Sequence, residues 1–101
     1  MAKKIISEKT LEAGLVIQVT QMGGWCIKQT AQYHRGLPDR LVLMPRGKTY
    51  FAEIKTTGRK PTALQAMTHT LLRDLGYPVA IIDSKETLDA FVAMLKQDQT
   101  L

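Results

Sequence analysis

Apolar residues recur along this chain with two different periods, and the changes between them mark out the elements. Leu11, Leu15, Val19 and Met22 are spaced by four, four and three residues, the period of one helical face. Ser7 is placed to cap that run and Gly23-Gly24 to stop it, so an amphipathic helix is predicted to about Met22. Trp25 to Gln29 is short and β-prone, and Arg40 to Met44 reads as a second strand. Pro45-Arg46-Gly47-Lys48 has the composition of a turn and leads directly into Thr49 to Lys55, so these last two strands are expected to form a hairpin. Pro61-Thr62 opens another helix, which Gly76 stops after about Leu75. Val79-Ala80-Ile81-Ile82 is an unbroken apolar run, typical of a strand covered on both faces. A closing helix follows Ser84 and presents Leu88, Phe91, Val92 and Leu95 on one side.

The order α-β-β-β-α-β-α predicts an α/β fold: sequential strands make an antiparallel part of the sheet, and a helical crossover adds a further strand. No repeat or low-complexity tract interrupts it, and 45% hydrophobic with 23% charged residues is ordinary globular composition, so residues 1–101 read as one domain. A chain this short buries only ~60–65% of its unfolded surface, which makes self-association a way to gain buried area. The single Cys26 cannot form an internal disulfide, and two histidines supply no Cys/His zinc spacing. The apolar run near the start ends after Ile5-Ile6, and no stretch approaches the ~18–20 apolar residues of a membrane span. A cytoplasmic protein is expected.

Charge is distributed unevenly. Residues 1–60 hold eleven Lys and Arg against four Asp and Glu, whereas residues 61–101 hold three against five. The first half therefore carries the positive field, which suits a polyanionic partner such as DNA.

Three ionisable residues stand where apolar ones are expected: Asp39 at the mouth of the second strand, and Glu53 and Lys55 within the third. Side chains two apart on a strand share a face, so Glu53 and Lys55 project together while Ile54 points away. The turn folds this strand back on its partner and brings Asp39 beside them. Carboxylate oxygens are preferred ligands of Mg²⁺ and Mn²⁺, ions that polarise phosphodiesters and acidify water, and an adjacent ammonium can orient the water or offset charge on phosphorus. The simpler alternative is a surface salt bridge worth ~0–1 kcal/mol.

The full string narrows the choice. Pro38-Asp39, thirteen intervening residues and then Glu53-Ile54-Lys55 resembles the PD…(D/E)xK nuclease signature, on elements in the order of the restriction-endonuclease-like core. Gly36-Leu37-Pro38-Asp39-Arg40-Leu41, Phe51-Ala52-Glu53-Ile54-Lys55 and Gln65 are similar to the VRR-NUC (virus-type replication-repair nuclease) branch, with a likeness running from about Glu8 to Phe91. Small stand-alone members of this branch occur in phages and bacteria, and the branch is similar in fold to archaeal four-way-junction resolvases.

The resemblance implies roles. Asp39 and Glu53 match the metal-binding acids, the main-chain carbonyl of Ile54 a further ligand, and Lys55 the catalytic lysine. For the first-helix acid both Glu8 and Glu12 are candidates; counting back from the Gly23 stop favours Glu12, acting on the metal through water. Gln65 matches a glutamine that contacts the active site, yet Thr62-Ala63-Leu64-Gln65 is also a capping box, and the two readings are compatible. Gly14 inside the first helix costs ~1 kcal/mol relative to alanine unless it serves close packing.

Lys28, Tyr33, His34, Arg35, Arg40, Arg46, Lys48, Arg59 and Lys60 cluster in sequence around this site. The basic members, Lys28, Arg35, Arg40, Arg46, Lys48, Arg59 and Lys60, are the candidate phosphate contacts. Trp25 and the methionines are expected in the core. The expectation from sequence is a Mg²⁺- or Mn²⁺-dependent DNA endonuclease, acting as a homodimer on duplex or branched DNA. The competing reading is a non-catalytic nucleic-acid-binding module with the same basic face.

Overall fold

A computed structural model of the protein describes residues 5–30 and 34–100; Tyr33 lies outside them. Helix α1 (Glu8–Gln21) starts at Ser7, whose hydroxyl accepts the Thr10 N–H at 3.2 Å. It is followed by β1 (Trp25–Lys28), β2 (Arg40–Met44), β3 (Lys48–Ile54), α2 (Ala63–Asp74), β4 (Val79–Ile82) and α3 (Lys85–Gln99). The strands form one sheet in the order β1-β2-β3-β4, antiparallel among the first three and parallel between β3 and β4. This is the α/β mixed sheet expected from the sequence.

Alternation along the strands decides which side chains meet which helices. Val42 and Met44, with Tyr50, Ala52 and Ile54 on the next strand, are buried in one core with Leu11, Leu15 and Val19 of α1 and Phe91 and Leu95 of α3. Helix α2 packs on the opposite side, toward which Glu53 projects. Gly14 sits where α1 meets α3: a Cβ there would lie 3.1 Å from Leu88 Cδ2. The helix propensity lost at this position is offset by that close approach.

The β2–β3 connection is a single turn, Pro45–Gly47, in which Arg46 (φ 68) and Gly47 (φ 74) are both left-handed. Glycine adopts this conformation freely and arginine does so at a cost of ~1–2 kcal/mol. The Arg46 guanidinium donates to the main-chain carbonyls of Asp98 and Gln99 at the end of α3, which compensates. Lys48 donates to the Asp98 carbonyl as well, and the Tyr50 hydroxyl donates to the Asp98 carboxylate at 2.6 Å. Cations at a helix C-terminus are favoured by its partial negative charge. The turn thereby locks the hairpin register, from Met44↔Lys48 at one end to Arg40↔Ala52 at the other.

Val79–Ile82 forms the edge of the sheet and, as expected, is covered on both faces, by α2 and by α3, with Val79 and Ile82 buried and Ala80 and Ile81 half-buried. The expectation that Trp25 and the methionines lie in the core is corrected for Trp25 and for Met67, which is 57% exposed. Trp25 is 66% exposed, because β1 is the opposite edge and its alternate side chains point away from α1. Among the described residues no helix is long and apolar enough to cross a membrane.

Candidate functional site

The open end of the hairpin, away from the Arg46 turn, gathers the ionisable residues. Continuing the Arg40↔Ala52 register by one residue places Asp39 opposite Glu53. Asp39 is held on both sides: its Oδ2 accepts the Ile54 N–H at 2.8 Å, and its carbonyl accepts the Gln29 N–H at 2.7 Å. Gln29 also donates from Nε2 to the Pro38 carbonyl at 3.1 Å, so this side chain, which the sequence reading passed over, helps fix the Pro38-Asp39 segment. Gly36 lies against α2, where a Cβ would collide with the Thr68 hydroxyl and approach the Leu64 carbonyl oxygen to 3.0 Å. Only glycine lets the loop come this close.

Glu53 is 1% exposed. Its Oε2 accepts from Lys55 Nζ at 3.3 Å and from Gln65 Nε2 at 3.0 Å. Gln65 serves both roles read from its position: Oε1 accepts the Thr62 N–H at 2.9 Å in a complete capping box, while Nε2 reaches Glu53. Burial, and after it the charge of Asp39, push the Glu53 carboxyl up to about 7, against a smaller opposing pull from Lys55. Lys55 lies just past the end of β3, its backbone N–H still paired to the Ile82 carbonyl at 2.9 Å.

These residues line a hollow of about 250 Å³ together with Glu8, Glu12, Lys28 and Ile54. A second hollow of about 270 Å³ shares Glu8 and Lys55 with it and continues past Thr56, Arg59, Lys60 and Thr62. The result is a polar groove, acidic at one end and basic along its length.

The predicted basic residues separate into groups. Lys28, Arg59 and Lys60 border the groove, and Arg35 is exposed in the turn before Pro38. Arg40 is turned inward: its Nε meets Glu12 Oε2 at 2.8 Å and its Nη1 donates to the Cys26 carbonyl at 3.2 Å. Glu12 lines the hollow but spends its charge on that pair, whereas Glu8 reaches both hollows from the exposed first turn of α1. Arg46 and Lys48 do not join the site. Lys48 is five residues of strand from Glu53, ~17 Å, and both side chains cap α3.

His69 also went unpredicted. It is 2% exposed on α2, with Nε2 3.8 Å from Glu53 Oε1, and burial, then Arg73 and Lys55, lowers its pKa. The available signal was its position one helical turn after Gln65. Cys26 is a core residue whose thiol is pushed up by burial, which makes it a poor nucleophile.

A stability prediction follows from Glu53. Its folded-state pKa lies above the ordinary 4.5, so folding stability falls as pH rises from about 4.5 to 7 and the penalty is complete above that range. In a chelator-containing buffer, Glu53→Gln is expected to unfold at higher urea than wild type at pH 8, by on the order of 2–3 kcal/mol, with the gap closing toward pH 5. A variant less stable than wild type at pH 8 would contradict the buried charge.

Scanned against protein-family profiles, the chain matches none. It is 41% identical over 83 residues to a curated protein described as "Putative nuclease p44" from Acyrthosiphon pisum secondary endosymbiont phage 1, a match covering 82% of this chain and 89% of that one. A solved structure described as "VRR_NUC domain" superposes with a TM-score of 0.80 at 28% identity, covering 85% of this chain and 94% of that chain. By sequence and by fold alike, this chain belongs to the VRR_NUC family of nucleases.

Proposed function

We propose that the chain is a Mg²⁺- or Mn²⁺-dependent DNA endonuclease of the cytoplasm, with Asp39, Glu53 and Lys55 at its centre. The observation that carries this reading is the Glu53 carboxylate, buried beside the charge of Asp39 in one hollow, with Lys55 Nζ 3.3 Å from its Oε2. The buried carboxylate of Glu53 and the half-buried one of Asp39 repel each other, and a divalent cation relieves that repulsion. Among the described residues no three His, Cys, Asp or Glu side chains converge as ligands, which does not suit zinc. Two carboxylates do suit Mg²⁺, which keeps several waters. Asp39, Glu53 and the Ile54 carbonyl would hold the ion, with Glu8 or Glu12 reaching it through water. A cation bound there supplies Lewis-acid polarisation of a phosphodiester oxygen and acidifies the attacking water.

The chain's own groups do the rest. Lys55 stands at the junction of the two hollows, where its ammonium can meet a phosphate lying in the basic groove. Lys28, Arg35, Arg59 and Lys60 neutralise flanking phosphates without reading sequence. Gln65 keeps Glu53 in place. Asp39→Asn retains an acceptor for the Ile54 N–H but loses the charge, so it is expected to keep the fold and lose Mn²⁺-supported nicking of plasmid DNA. Lys55→Ala is expected to lose nicking while still binding Mn²⁺. Wild-type nicking rates in Asp39→Asn would overturn the assignment of cleavage to this site, and DNA binding with no cleavage in either metal would favour the non-catalytic binding module.

We also propose that the enzyme works as a homodimer. Leu64, Met67, Leu71 and Leu75, spaced by three, four and four residues, form a stripe on the flank of α2, each between 44% and 73% exposed. Apart from the buried His69, the helix carries only one basic and one acidic residue, Arg73 and Asp74, so a second copy of α2 meets little repulsion. A self-complementary contact along the stripe buries both apolar flanks and provides two active sites, as cutting both strands of a duplex or resolving a branched DNA requires. Sedimentation equilibrium at micromolar concentration is expected to give twice the 11.3 kDa of one chain, reverting to one on Leu71→Glu. A wild-type mass of one chain would contradict the dimer.

A further inference from the structure

Three buried side-chain nitrogen or oxygen atoms among the described residues have no hydrogen-bond partner, and two of them face each other: Glu53 Oε1 and His69 Nε2, 3.8 Å apart. Orphaned buried polar atoms are rare and costly, so a facing pair calls for a physical reason. A leucine at position 69 would fill a similar volume at no polar cost. Gln65 and His69 are four apart on α2 and so lie on one helical face, above the same carboxylate. Gln65 Nε2 already donates to Oε2 at 3.0 Å, and the imidazole stands opposite the other oxygen. A shortening of about 0.9 Å would bring the pair to ordinary hydrogen-bond length.

We propose that His69 is a positioning residue of the cation site, donating its Nε2–H to Glu53 Oε1 when the cation is bound. The inference rests on the metal-dependent reading of Asp39 and Glu53. With both carboxylate oxygens held from α2, the Glu53 side chain loses its freedom to rotate and stays beside Asp39 in the hollow that both residues line. Donors of this kind, one step removed from the metal, orient ligating groups and commonly change metal affinity by about 10–100-fold. His69 touches neither substrate nor reacting atoms in this arrangement; its influence passes through Glu53.

Calorimetric titration of the full chain with Mn²⁺ tests the assignment, using wild type, His69→Phe and His69→Gln, with a thermal melt of each in chelator. The phenyl ring keeps the volume and lacks the donor, so His69→Phe is expected to bind Mn²⁺ about 10–100-fold more weakly without a lower melting temperature. Gln at this position restores a donor and is expected to recover most of the affinity, which a merely space-filling role would not produce. Equal Mn²⁺ affinity in wild type and His69→Phe would overturn the role of His69 and leave the metal site standing. A wild type that binds no Mn²⁺ would overturn both. Should the phenyl variant fail to fold, nitrogen-15 NMR of the wild-type imidazole decides: Mg²⁺ is expected to protect the Nε2–H from solvent exchange and shift its proton downfield, and an unaltered resonance overturns the proposal.

Discussion

Two carboxylates side by side in a largely dry setting repel each other, and the arrangement of the chain around Asp39 and Glu53 can be understood as the means of holding them there. The hairpin turn sets the register that makes them neighbours. The Ile54 N–H and Gln29 fix the Asp39 side, and Lys55 with Gln65 fixes Glu53. The repulsion that remains shows as the raised affinity of Glu53 for a proton. Folding free energy is small, so a site that stores such strain needs strong support elsewhere, and here it comes from the dry α1–sheet–α3 core on the other face of the same strands.

The two ends of the hairpin divide the labour. At the turn, Arg46, Lys48 and Tyr50 tie the strands to the end of α3, a structural use of charge remote from the carboxylates. At the open end, Lys28, Arg59 and Lys60 remain at the border of the groove. The positive field of residues 1–60 is thus not one surface: part caps a helix, part is internalised with Glu12, and part faces the solvent where a polyanion can approach.

Elements whose cause is local were legible in the sequence. The Ser7, Thr62 and Ser84 caps, the period-four apolar residues of α1 and the turn at Pro45 each act over a few residues, and the elements begin or end beside them. The convergence of Asp39, Glu53 and Lys55 was legible for the same reason, because one tight turn determines it. Partners distant in sequence were not: nothing local in Arg40 points to Glu12, nor in Arg46 to the end of α3 fifty residues on. His69 sits in a polar stretch, Thr68-His69-Thr70, that reads as solvent-facing until α2 is docked on the sheet, and Trp25 reads as core until β1 is known to be an edge.

The central claim is that the Asp39–Glu53 pair exists to hold a divalent cation. Anomalous diffraction from a crystal of the wild-type chain soaked in Mn²⁺ tests it most directly. The account predicts a peak bounded by the carboxylates of Asp39 and Glu53 and the carbonyl of Ile54. A soaked crystal with no peak there, or with its ion held by Glu8 or Glu12 away from Glu53, would contradict it.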